Sequence, residues 1–208
     1  MSEYLRQGGP MLALILLVGL GAAAIFMERL YYLHRAQIKW RDFLLGIVNI
    51  LKRQNIAEAV SICEETPGPV AQLIRSAILH HDEGPAGIRR AIEEAGLAEI
   101  PRLESRLPLL ATLAHIAPML GLLGTVLGLM QMMLTLQQKA PLVQAGDLSA
   151  GLWQALLTTA AGLAVSIPAY AGYNLLLARV DSVGLDMERA AMELENYFLQ
   201  NSPAKGPA

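Results

Sequence analysis

Three stretches of this chain, Gly8 to Met27, Leu107 to Gln138 and Leu148 to Ala178, contain no Asp, Glu, Lys or Arg. A water-soluble domain instead spreads its apolar residues among charges at helical or strand period. A hydrocarbon core about 30 Å thick is crossed by about 20 helical residues rising about 1.5 Å each. The first block just meets that length. The other two exceed it by roughly ten residues, which predicts helices that run on beyond the lipid rather than tilting steeply. With 54% of its residues hydrophobic, the chain is expected to be an all-α integral membrane protein. Three transmembrane helices would carry long cytosolic helical extensions and a helical cytosolic domain.

Charge sets the expected topology. Arg29, Arg35, Lys39 and Arg41 follow the first block, whereas Arg6 precedes it. The positive-inside rule therefore places the amino terminus outside and the next segment in the cytosol. The same asymmetry argues against reading Ala22-Ala23-Ala24 as a signal-peptide cleavage site. Later flanks agree: Arg102, Arg106, Arg179 and Arg189 lie on the cytosolic sides, and the outer loop carries only Lys139. The expected order is an extracytoplasmic stretch 1–9, a first span 10–33, a cytosolic helical domain 34–106, a second span 107–138, an outer loop 139–148, a third span 149–178, a cytosolic C-terminal helix 179–200, and a disordered tail 201–208 rich in Pro, Gly, Ala and Ser.

Inside the cytosolic segment, Thr66-Pro67-Gly68-Pro69 and Glu83-Gly84-Pro85 punctuate short helices. Val70, Leu73, Ile74, Ala77 and Ile78 form one apolar stripe between them, and Ile88, Ala91, Ile92 and Ala95 begin another that leads towards Leu103 and Leu107. Pro101 and Pro108 predict a break where the chain reaches the membrane. Beyond Ala178, Val180, Val183, Leu185, Met187, Met192, Leu194 and Phe198 alternate with charges, as an amphipathic helix does.

Several function classes are excluded. The net charge of −2 and the lack of a long basic tract argue against nucleic acid as a partner. No phosphate-binding loop, metal-binding His/Glu pair or nucleophile elbow is present, so no catalytic residue, cofactor or metal is expected. The tandem His80-His81 points to opposite sides of a helix and reads as a polar helix end. Cys63, the single cysteine, has no His or Cys nearby and reads as incidental.

The informative residues lie in the second and third blocks. Gly124 and Gly128 make a small-xxx-small pair that lets backbones approach closely. Pro118, Gly121, Thr125 and Gly128 share one face. In the third block Ala155, Thr158, Gly162 and Ala169 share another, with Thr159 and Ser166 beside it. Hydroxyls at bilayer depth need partners or water; hydrogen bonds within their own helix are the plain alternative to a pathway role. No acidic residue occurs in any block, so a proton path along this chain needs a water chain or a titratable group from a partner. His115 is the one titratable residue within the second block, and hydrogen-bonded packing accounts for it best.

The runs Ala117–Gly128 and Gln154–Ala169, closed by Tyr173-Asn174, resemble the paired signature of the ExbB/TolQ/MotA proton-channel family. Met27-Glu28-Arg29-Leu30 and the approach from Glu93-Glu94 to Leu113 resemble its ExbB-type members. The flagellar branch, with four spans and a larger cytosolic domain, fits less well. The resemblance implies a pentamer in the bacterial inner membrane, enclosing two copies of a single-span ExbD- or TolR-like partner, with a TonB-like protein as a further partner. It implies that the partner brings a membrane aspartate and that Thr125 and Thr159 line the proton pathway, joined by Thr158. Where ExbB members often carry a glutamate, this chain has Gln154, which keeps a pathway position without a titratable group. Pro118, Gly121, Gly124, Gly128, Gly162 and Pro168 are the expected helix-packing positions. The implied function is conversion of proton motive force into mechanical work for energised transport across the envelope. TolQ-like envelope maintenance, a gliding motor or a membrane scaffold without conduction are the alternatives.

Overall fold

The computed structural model describes residues 9–36, 39–139, 141 and 144–201. The expected stretch 1–9 lies outside them but for Gly9, and so does the expected tail but for Asn201. Helices account for the described elements in the order α1 (Gly9–Ala36), α2 (Trp40–Lys52), α3 (Ile56–Glu65), α4 (Pro69–Leu79), a 3₁₀ turn (His81–Glu83), α5 (Gly84–Glu104), α6 (Leu107–Lys139) and α7 (Ala145–Asn201). No strand occurs among the described residues. Three helical stretches are long and apolar enough to cross a membrane, so the chain is an all-α membrane protein. At 57 residues, α7 is about 86 Å long, nearly three bilayer cores, and runs without interruption from the third apolar block into the charged segment.

Two compact units divide the chain. The first contains α1 as far as Arg29, α6, and α7 as far as Leu176. Its helices follow one register. Gly19 meets Val165, and Gly172 meets the Phe26 ring, so α1 runs parallel to α7. Ser166 bonds to Ala114, and Gly128 faces Gly151, so α6 runs antiparallel to α7. Glu28 of α1 pairs with Arg106, just before α6.

The second unit holds the end of α1 from Leu30, α2 to α5 and the remainder of α7. Its core is the stripe visible in the sequence: Val70, Leu73, Ile74, Ala77 and Ile78 of α4 are all buried, as are Ile88, Ala91 and Ile92 of α5. Thr66 closes α3 by donating its hydroxyl to Ile62 O at 2.7 Å. Gly68 then takes φ 132°, a backbone state open to glycine and costly for other residues, and Pro69 starts α4 where a missing N–H does no harm. His80 and His81 each turn Nδ1 to a carbonyl of their own turn, Ser76 O and Ile78 O, both at 2.9 Å.

The break expected at the membrane entry is present, between Pro101 and Pro108. The break before α6 falls at Ser105-Arg106, not at a proline, and Arg106 takes the left-handed conformation with φ 64°. Pro101 stays inside α5, while Pro108 is the second residue of α6, where the helix has no bond to lose. Cys63 takes a place in the core of this unit. It is fully buried, and burial pushes its thiol from 9.0 up to about 11, against a smaller opposing pull from Arg75.

The buried thiol gives a direct test. At pH 8 a maleimide should fail to label Cys63 in the folded protein and label it fully in denaturant; rapid native labelling would contradict the packing. Because the folded pKa is raised, the thiol's contribution to stability is complete below pH 9 and declines as pH climbs towards 11.

Candidate functional site

Lipid supplies no hydrophobic drive for helices to associate, so close van der Waals packing and interhelical hydrogen bonds must do so. The α6–α7 seam provides both. A methyl group added at Gly162 would lie 2.7 Å from Ala117 O and 3.1 Å from Gly121 Cα. One added at Gly121 would lie 3.0 Å from Thr158 O, and one at Gly128 would lie 2.9 Å from Gly151 O. These are backbone atoms, so nothing can swing aside. The expected packing residues Gly121, Gly124, Gly128 and Gly162 are all buried in this one seam, together with Ala114, Ala117 and Ala155.

Proline leaves a defect that the seam repairs. Pro118 has no N–H to donate to the Ala114 carbonyl one turn back. Ser166 Oγ, from α7, donates to that carbonyl at 2.8 Å. The freed acceptor is therefore satisfied across the helix pair, as a packed membrane helix requires. The sequence placed Ser166 only beside a small-residue face; its partner was hidden by the unknown register between helices. Pro168 is placed differently. It is exposed along a mostly apolar groove of about 400 Å³ between α1 and α7, lined also by Leu16, Gly19, Phe26 and Val165.

Thr125 and Thr159 meet across the seam, hydroxyl to hydroxyl. Thr125 Oγ1 lies 3.1 Å from Gly121 O and 3.3 Å from Ala155 O, and Thr159 Oγ1 lies 3.3 Å from Gly121 O. Both side chains are half-buried. Along the helix axis Thr125 is about 21 Å from Lys139 and about 27 Å from Leu107, counting 14 and 18 residues at about 1.5 Å each. The pair therefore sits near the middle of the second block. Each hydroxyl proton has an acceptor, and oxygen lone pairs remain to accept from water or from a protonated acid.

Thr158 is not part of that open pair. It is fully buried, with Oγ1 donating to Ala155 O at 2.9 Å and lying 3.1 Å from Gln154 O. A methyl on Gly124 would lie 2.6 Å from its Cβ and its Oγ1. Adjacent helical positions point about 100° apart, so Thr159 reaches the partly open pair while Thr158 fills the seam.

Gln154 occupies a third environment. Its amide nitrogen would be 2.8 Å from a methyl placed on Gly9, at the start of α1. Gln154 also lines a cleft of about 560 Å³ with Gln131, Thr135, Ser149 and Trp153. The volume exceeds what several waters occupy, at about 30 Å³ each, and all five of those side chains offer hydrogen bonds. His115 turns Nδ1 to Ala111 O at 2.7 Å and sets its ring edge-on to Tyr170, with centroids 5.6 Å apart. The ring is exposed and lies ten residues before Thr125 on the same helix.

The tightness of the seam is measurable. Gly162→Ala should lower thermal stability in detergent by an amount in the usual range for overpacking, about 1–3 kcal/mol. Gly146→Ala, where nothing lies within 4 Å, should leave it unchanged. Equal tolerance of both substitutions would contradict the close approach.

Comparison with known proteins bears on this geometry directly. Residues 65–189 match the family described as the MotA/TolQ/ExbB proton channel family, a range that includes the whole seam. A biopolymer transport protein ExbB homolog of Methanothermobacter thermautotrophicus is 28% identical over 180 residues, covering 86% of this chain and 63% of that relative. The Tol-Pal system protein TolQ of Haemophilus influenzae is 36% identical over 129 residues, 58% of this chain and 53% of the relative. The biopolymer transport protein ExbB of Xanthomonas campestris pv. campestris is 30% identical over 167 residues, 71% and 65% respectively. The matches thus span between about half and two thirds of these relatives' own lengths. With three membrane-length apolar helices and a family match over residues 65–189, the chain belongs to the MotA/TolQ/ExbB proton channel family.

Proposed function

We propose that this chain is the ring subunit of an inner-membrane motor, converting proton motive force into mechanical work together with a single-span ExbD- or TolR-like partner. The observation that carries the reading is the Thr125–Thr159 hydroxyl pair at mid-span, in a seam otherwise closed by glycine and alanine. The three apolar blocks contain no acid. A carboxylate at that depth is costly unless it is paired, and two hydroxyls with free lone pairs are suitable hosts for a partner's protonated aspartate. Deprotonation would add a charge and release that contact, and rotation of partner against ring would follow. Each charge moved down 100 mV releases about 2.3 kcal/mol, so several protons per cycle supply useful work.

The names of the relatives support energised transport or envelope maintenance as the output, through biopolymer transport and the Tol-Pal system. In this reading the ring holds five copies around two partners, and a TonB-like protein receives the work. The Arg29 region of α1 and Arg106, just before α6, face the cytosol, and the cleft at Gln131, Thr135 and Gln154 faces outward as the hydrated approach to the threonine pair. Gln154 positions water there without titrating.

One observation favours a second reading, a scaffold without conduction: both threonine protons already have acceptors within the chain. Proton flux separates the two. In proteoliposomes holding the chain with its partner, Thr159→Val should preserve assembly and abolish flux, because the methyl fills the same space without a lone pair. Undiminished flux would sink the motor reading and leave the scaffold.

A further inference from the structure

Beyond the membrane unit, α7 carries two apolar columns, and the chain itself covers only one. Val180, Met187 and Leu194, with Val183 and Ala190, are at most 4% exposed. The sequence groups Leu185 and Met192 with that face, but they belong to another. Leu185, Met192 and Leu199 recur every seven residues and are 50%, 57% and 50% exposed. Asp181, Glu188 and Glu195 form a parallel column along one edge. An apolar column of period seven drifts only about 20° per repeat, so a second helix crossing at about 20° can follow it throughout. The acidic edge selects a helix with basic residues beside its apolar contact.

The same chain presents such a helix. On α2, Arg41, Leu45 and Lys52 lie within about 40° of one another at about 100° per residue. All three are exposed, Leu45 to 61%. Trp40, Leu44 and Ile47 anchor the helix by another side. Both outer faces are exposed within one copy, so each is accessible to another copy. Pairing two α7 faces with each other would set acid against acid. Pairing α7 of one copy with α2 of the next joins unlike faces, which is the head-to-tail contact that closes rings.

We infer that the Leu185–Met192–Leu199 face of α7 receives the Arg41–Leu45–Lys52 face of α2 from a neighbouring copy; this rests on the ring-subunit reading. The test is disulfide trapping between differently tagged copies in the same membrane. One copy carries Leu45→Cys and the other carries Leu185→Cys, Met192→Cys or Leu199→Cys. Cys63 is buried and need not be removed. Facing cysteines with Cα atoms under about 7 Å apart form a bond on mild oxidation, so one of the three pairings should yield a dimer bearing both tags. Arg41→Glu with Lys52→Glu should abolish that dimer, and adding Glu188→Lys on the other copy should restore it. Native mass spectrometry of the same samples separates two failures. An oligomer of intact mass with no cross-link at any position, or one linked only to the single-span partner, overturns this interface alone. A monomer overturns the ring reading and this interface together.

Discussion

The backbone approach of α6 and α7 is the constraint on which the membrane unit depends. Where Gly162 passes Ala117 and Gly121, no side chain larger than hydrogen fits between the helices. That closeness is what lets Ser166 reach the carbonyl left free by Pro118, and what lets two threonine hydroxyls meet across the seam. A wider pair would take Ser166 from the Ala114 carbonyl and Gly121 O from the Thr159 hydroxyl, each loss costing free energy with no water to offset it. Glycine here is a packing device and not a source of flexibility. The same economy recurs on the other side of α7, where Gly19 receives Val165 and Gly172 receives the Phe26 ring.

Polarity within the seam is graded by exposure. Thr158 is sealed within the seam, while Thr125 and Thr159 keep a partly open edge. The polar cleft at Gln131, Thr135, Ser149 and Gln154 sits beyond them towards the Lys139 end of α6. The proposed proton path is built from acceptors and lacks an acid of its own. Under that proposal the subunit stabilises charge-bearing groups without carrying charge, and dependence on a partner follows from composition alone.

Much of this was legible in the sequence, for physical reasons. Uncharged blocks report bilayer burial directly, and the Val70–Ile78 stripe reports a buried helix face through its period. The rest depended on phase and register. Thr158 and Thr159 are neighbours in sequence, and only the α6 contact shows which one is sealed. Proline is the strongest local signal for the break before α6, yet a left-handed Arg106, beside its pairing with Glu28, makes the turn. Cys63 sits among charged neighbours that point away while its own side chain points into the core. The charged part of α7 read as one amphipathic face because two columns, offset around the helix, both recur every seven residues. Exposure alone separates them.

The central claim is that a ring of these subunits works around a partner's acid. Its most direct test is native mass spectrometry of the chain in mild detergent, purified after co-expression with an ExbD- or TolR-like single-span protein from the same genome. The account predicts a complex of five copies carrying two partner chains. A stable homo-oligomer that excludes the partner, or a monomer, would leave the threonine pair without its acid and contradict the account.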